Sequence, residues 1–113
     1  MHELSYISKV VRLALEAANE NRIEHVDSVE IDVGEMTGAL PELLEKAYGE
    51  STPGTLLEGS DLIINMVPVT AVCDACGCEY HPSKENDYRC TKCSSIKSHI
   101  TAGRDVTLRS IVG

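Results

Sequence analysis

Four cysteines constrain this chain more tightly than any other feature. Cys73, Cys76, Cys90 and Cys93 follow the spacing C-x2-C-x13-C-x2-C. Two residues between cysteines let one tight turn aim both sulfurs at a single ion, and Gly77 supplies the turn after the first pair. Two such knuckles facing each other make a tetrahedral four-thiolate site for zinc. Four thiolates close the coordination sphere, so the expected zinc is structural. Two other readings stand beside it: a pair of disulfides or a redox dithiol, and iron, which the same four sulfurs suit. The chain has five cysteines, so a pure disulfide framework leaves one over. The odd one, Cys78, lies two residues past Cys76 and reads as a spare thiol.

The stretch from Tyr80 to Arg89 is short and polar, so the metal is expected to supply most of that module's folding free energy. The main core must come from the rest of the 113 residues. That core is aliphatic, because the chain has neither Trp nor Phe while its hydrophobic fraction is 42%. Residues 3 to 22 carry Leu4, Ile7, Val11, Leu15 and Ala18 at helical spacing, widened by Val10, Ala14 and Ala17. Val26 to Val33 alternates, with Val29, Ile31 and Val33 on one face, and predicts a half-buried strand ended by Gly34. Leu40 to Tyr48 predicts a second helix with Pro41 in its first turn. Leu62 to Val69, with Pro68 at its end, and Val106 to Val112 predict two more strands. The expected fold class is α/β: a small sheet of about three strands with two helices, plus an inserted zinc-ribbon-like module. Residues 1–70 and 103–113 would form the main domain and residues 71–102 the module.

The formal charge of −8 argues against nucleic acid, whose binding runs on Lys and Arg, and against anionic membrane surfaces. His2, Glu3 and Ser5 interrupt the start where a signal peptide would be apolar, and no apolar run reaches membrane length. A cytoplasmic location is expected, where cysteine pairs more often hold metals than form disulfides. No Ser/His/Asp, paired-carboxylate or phosphate-loop pattern stands out, so no enzyme is expected.

The start, Met1-His2-Glu3, is the other chemical feature. An α-amine, the next backbone nitrogen and the His2 imidazole suit Ni(II) or Cu(II) in a tetragonal arrangement, with Glu3 supplying an oxygen. An ordinary surface histidine and a glutamate favourable at a helix N-terminus account for the same residues. His81 and His99, near the cysteine module, read as surface histidines, and Glu35, Glu42 and Glu58 as ordinary surface charge.

Taken together, these segments resemble the HypA/HybF family of hydrogenase-maturation nickel chaperones. The likeness runs through Met1-His2-Glu3-Leu4-Ser5, Ile31-Asp32-Val33-Gly34-Glu35, Leu40-Pro41-Glu42-Leu43-Leu44, Gly54-Thr55-Leu56-Leu57-Glu58-Gly59 and both cysteine pairs. The resemblance implies His2 as principal nickel ligand, assisted by the Met1 amine and Glu3, and the four cysteines as zinc ligands. It implies handover of Ni(II) to a hydrogenase-maturation GTPase and on to the hydrogenase large-subunit precursor, with urease accessory proteins as further partners. The chain departs from the family pattern at Ser94, where Gly is common after the fourth cysteine, and in the extra Cys78. Against this stand a zinc-ribbon adaptor with no nickel role and a rubredoxin-like iron carrier.

Overall fold

The computed structural model describes residues 2–113; Met1 and the side chain of His2 lie outside the described residues. Helix α1 spans His2–Glu20. Its buried line is Ile7, Val10, Ala14 and Ala18, so the apolar stripe is rotated from the one centred on Val11 and Leu15, and Leu4 stays 46% exposed. The helix closes as a Schellman turn: Arg22 adopts φ 57°, its N–H donates to Asn19 O, and the Ile23 N–H donates to Ala18 O at 2.8 Å.

Strand β1, Ser28–Gly34, is followed by a short 3-10 turn, Glu35–Thr37, and helix α2, Pro41–Ser51. Leu40 is the N-cap of α2 and Pro41 opens it, where its missing N–H costs nothing. Strand β2, Asp61–Val67, pairs parallel with β1, from Ser28↔Asp61 to Gly34↔Val67. The last strand of the chain, Val106–Val112, pairs antiparallel with the other side of β1, with a bulge between Glu30 and Ile31. This three-stranded sheet carries both helices on one face. Val29, Ile31, Val33, Leu44, Leu57 and Val106 fill the space between. The expected helices and strands of this part are all present, with ends shifted by up to three residues.

The cysteine segment holds more regular structure than its sequence suggests. Strand β3, Thr70–Cys73, pairs antiparallel with β4, Glu79–Tyr80, and with β5, Ser98–Ala102, making a second three-stranded sheet. The Val106–Val112 strand is therefore β6. Tyr80 is buried with Ala71, Cys73 and Cys90, and its O–H donates to Ser98 Oγ at 2.8 Å.

Two chain crossings join the sheets, at Pro68–Val69 and around Gly103. Gly103 has φ +83°, and a Cβ there would fall against the Pro68 carbonyl. A Cβ on Gly34 would overlap the Gly103 carbonyl carbon, so backbones touch at this junction and only glycines fit. The Met36 N–H donates to Gly103 O and the Gly34 N–H to Asp105 O, both at 2.9 Å.

Candidate metal centre

The two Cys-x-x-Cys knuckles fold alike. In the first, Gly77 N–H donates to Cys73 O at 2.8 Å and Cys73 N–H to Cys78 O at 2.9 Å. In the second, Ser94 N–H donates to Cys90 O at 3.0 Å and Cys90 N–H to Ser95 O at 3.1 Å. Gly77 and Ser94 both sit in the left-handed region, at φ 74° and 62°. Ser94 thus keeps the turn that a glycine usually makes, and the departure from the family pattern leaves the geometry intact.

The knuckles face each other. Cys73 Sγ lies 3.5 Å from Cys93 Sγ, and Cys76 Sγ lies 3.6 Å from Cys90 Sγ. The four ligand atoms all fall within 4.8 Å of one another. A disulfide needs about 2.05 Å between sulfurs, and all five cysteines are free. A regular tetrahedron with Zn–S bonds of about 2.3 Å has sulfur–sulfur edges of about 3.8 Å, so the donor set fits a four-thiolate ion. Cys73 and Cys90 are buried while Cys76 and Cys93 are exposed, so each knuckle offers one inner and one outer sulfur.

The close sulfurs pull one another's acidity in opposite directions. Cys90 is lowered to about 6, first by the N–H groups of Cys93 and Lys92 pointing at its sulfur. The Lys92 N–H donates to Cys90 Sγ at 3.4 Å. At Cys76 the Cys78 N–H favours the thiolate, but desolvation and the neighbouring sulfurs outweigh it and push this thiol up to about 12. Cys73 is lowered, chiefly by the Cys76 N–H. Cys93 is raised, because the Cys73 sulfur and desolvation outweigh the Ser95 N–H. Each close pair therefore holds one thiolate-favouring and one thiol-favouring sulfur. Four negative sulfurs cannot share this space unaided, and a divalent cation would offset their charge in place of the protons.

Cys78 is outside the cluster, with Sγ 3.4 Å from Glu79 O. His99 Nδ1 lies 2.8 Å from Asp74 Oδ1, tying β5 to the first knuckle, a contact that no spacing in the sequence announces. His81 Nδ1 lies 3.0 Å from Val69 O. Both histidines are exposed, as are Glu35, Glu42 and Glu58.

Of the three N-terminal residues, only the Glu3 side chain lies within the described residues. It sits in the first turn of α1, where Oε2 accepts from the Leu40 N–H at 3.4 Å. It lines a groove of about 300 Å³ with Leu4, Leu43 and Lys46. The four-sulfur site is at the other sheet, so Glu3 and the four cysteines belong to separate parts of the fold.

Residues 1–113 match the family model described as HypA: hydrogenase/urease nickel incorporation, metallochaperone. The chain belongs to the HypA family. A hydrogenase maturation factor HypA from Picosynechococcus is 34% identical over 111 residues, covering 98% of this chain and 97% of the relative. One from Aquifex aeolicus is 32% identical over 111 residues, covering 98% and 96%. The solution structure of the Ni metallochaperone HypA from Helicobacter pylori superposes with a TM-score of 0.75 at 26% identity, covering 99% of this chain and 97% of that one. Membership places this chain in a nickel-incorporation family of maturation factors, and its four-cysteine cluster has a geometry that could hold a metal ion. No helix among the described residues is long and apolar enough to cross a membrane.

Proposed function

We propose that the chain carries Ni(II) on Met1, His2 and Glu3 and delivers it for maturation of [NiFe]-hydrogenase, with a structural zinc at Cys73, Cys76, Cys90 and Cys93. The observation that carries this reading is a family match from residue 1 to residue 113, which takes in both donor sets. The sets differ in kind. Amine, imidazole and carboxylate suit nickel, whereas four thiolates suit zinc and shut out water. A cargo ion must leave, so it belongs on the open nitrogen and oxygen set, where ligands exchange one at a time with a partner. Ligand exchange alone moves the ion, and no catalytic step is needed. The receiving partners are the hydrogenase-maturation GTPase and the hydrogenase large-subunit precursor, in the cytoplasm. The family description also names urease, which makes urease accessory proteins a second set of clients.

Nickel and zinc content separate the two assignments. His2→Ala should lose nickel binding in calorimetric titration while keeping one zinc per chain. Cys90→Ser should do the reverse, its zinc affinity falling by more than the 10–100-fold typical of outer-shell changes. Residues added before Met1 should weaken nickel binding. Affinity should drop as pH falls through roughly 8 to 6, where amine and imidazole protonate. Unchanged nickel affinity in His2→Ala would sink the site, leaving a zinc protein without a cargo.

A further inference from the structure

The negative charge of the chain is unevenly placed. Residues 71–102 hold as many basic as acidic side chains, so the whole net charge of −8 falls on residues 1–70 and 103–113. The basic side chains of this segment gather at the second knuckle. Residues 88–97 include Arg89, Lys92 and Lys97 and no carboxylate side chain. All three are exposed, and none joins an ion pair among the described residues.

Two large apolar side chains stand among these cations. Ile96 is 70% exposed, more than any other large hydrophobic side chain described, and Tyr88 is 57% exposed. The knuckle brings them to one place. The Cys90 N–H donates to Ser95 O at 3.1 Å and Arg89 Nη1 to Ser94 O at 3.4 Å, so the Tyr88–Arg89 and Ser95–Ile96 ends lie side by side. Tyr88 is held there at φ 60°, its N–H donating to Ser83 O at 2.8 Å. Lys92 sits at the turn between the two ends.

Counter-charge for four sulfurs would explain cations at this knuckle. It does not explain an isoleucine and a tyrosine left in water beside them. Exposed apolar side chains rimmed by polar ones mark contact sites. We propose that the second knuckle docks an acidic segment of a partner protein. Arg89, Lys92 and Lys97 meet its carboxylates, and Ile96 and Tyr88 take one of its apolar side chains.

The phosphates of a nucleic acid would suit the same cations. A long polyanion, however, also meets the negative charge of the rest of the chain, and Glu85 and Asp87 precede Tyr88. A protein segment of a few residues avoids that repulsion and offers an apolar partner for Ile96. The patch is far smaller than a stable interface, so the contact is weak and readily released. It requires no nickel, and so stands apart from the cargo assignment at residues 1–3.

Fluorescence anisotropy at low salt tests this, with the zinc-loaded full chain and a short labelled peptide whose glutamates and aspartates flank a central leucine and phenylalanine. The wild type should bind it, and should bind the same peptide with serines at its centre at least about threefold more weakly. Lys92→Glu should weaken binding at least about threefold, whereas Lys46→Glu, which changes the net charge equally, should stay within about twofold of wild type. Ile96→Ser removes no charge, yet should weaken binding at least about threefold with zinc content unchanged. Absence of peptide binding overturns the proposal, as do equal losses in Lys92→Glu and Lys46→Glu, or an Ile96→Ser chain that binds like wild type. Tighter binding of labelled oligothymidylate than of the peptide would make the patch a nucleic-acid site instead. Peptide binding that reverses at high chain concentration would put a second copy there, and overturns the proposal too. If Lys92→Glu loses its zinc, that lysine is a counter-charge, and Ile96→Ser alone decides.

Discussion

At the residue scale, the cysteine knuckles show how far spacing alone carries. That these four cysteines converge was legible, because two-residue spacing in both pairs is the spacing of metal knuckles. The equivalence of the knuckles was not. Ser94 offers no turn signal, yet it holds φ 62° and donates to Cys90 O as Gly77 does to Cys73 O. Cys78 is also explained by this correspondence. Its carbonyl accepts from Cys73 N–H as that of Ser95 accepts from Cys90 N–H, so its place is fixed by backbone bonding and its sulfur is left out. A left-handed conformation costs a non-glycine residue about 1–2 kcal/mol, part of which glycine returns as unfolded-state entropy. Ser94→Gly should therefore tighten zinc binding by about 0.5–1 kcal/mol, measured by competition with a chromophoric chelator. Weaker binding would mean that the serine side chain contributes more than the strain it carries.

Among the elements, α1, α2, β1, β2 and β6 were readable because each is long enough to show a period. Strands β3, β4 and β5 were not: they have four, two and five residues, and their pairing depends on the knuckles bringing distant segments together. Helix α2 illustrates a contact hidden from any periodicity. Tyr48 is buried at 4% exposure, its O–H within 2.5 Å of Ser60 Oγ, which itself donates to Leu57 O. The Tyr48 phenol is raised above its ordinary value, first by desolvation, which outweighs the Ser60 bond, with the Asp61 charge adding to it. The sign follows directly. A raised value means that folding favours the neutral phenol, so its contribution is fully present below about pH 10 and is lost as pH climbs through the folded value. Tyr48→Phe should lose about 1 kcal/mol at neutral pH through the missing hydrogen bond. Its gap from wild type in urea unfolding should narrow in alkali. A constant gap would show that the phenol does not drive the alkaline loss.

On the scale of the whole molecule, the chain is longer than one compact domain of its size. Its radius of gyration is 17.2 Å and its extents are 52 × 27 × 16 Å, whereas a compact chain of this length has a radius of about 13 Å. The two buried clusters share no residue. The smaller consists of Ala71, Cys73, Tyr80 and Cys90, and two of these belong to the four-cysteine cluster. Without the metal, Ala71 and Tyr80 alone cannot offset an ordering cost of about 1–2 kcal/mol per residue across the module. The main sheet keeps its own core and closes the junction from its side, through Met36 and Gly34 bonding to the returning chain at Gly103 and Asp105. Stripping zinc with a strong chelator should therefore collapse the amide signals of residues 71–102 towards random-coil positions. Exchange protection of Val29, Ile31 and Val33 in β1 should hold. If β1 loses protection together with the module, the chain folds as one unit, and the division into residues 1–70 with 103–113 and residues 71–102 is wrong. If the two respond separately, then among the described residues a change at the four-cysteine cluster would reach the main sheet through the glycine junction and the 3-10 turn that Met36 fastens to it.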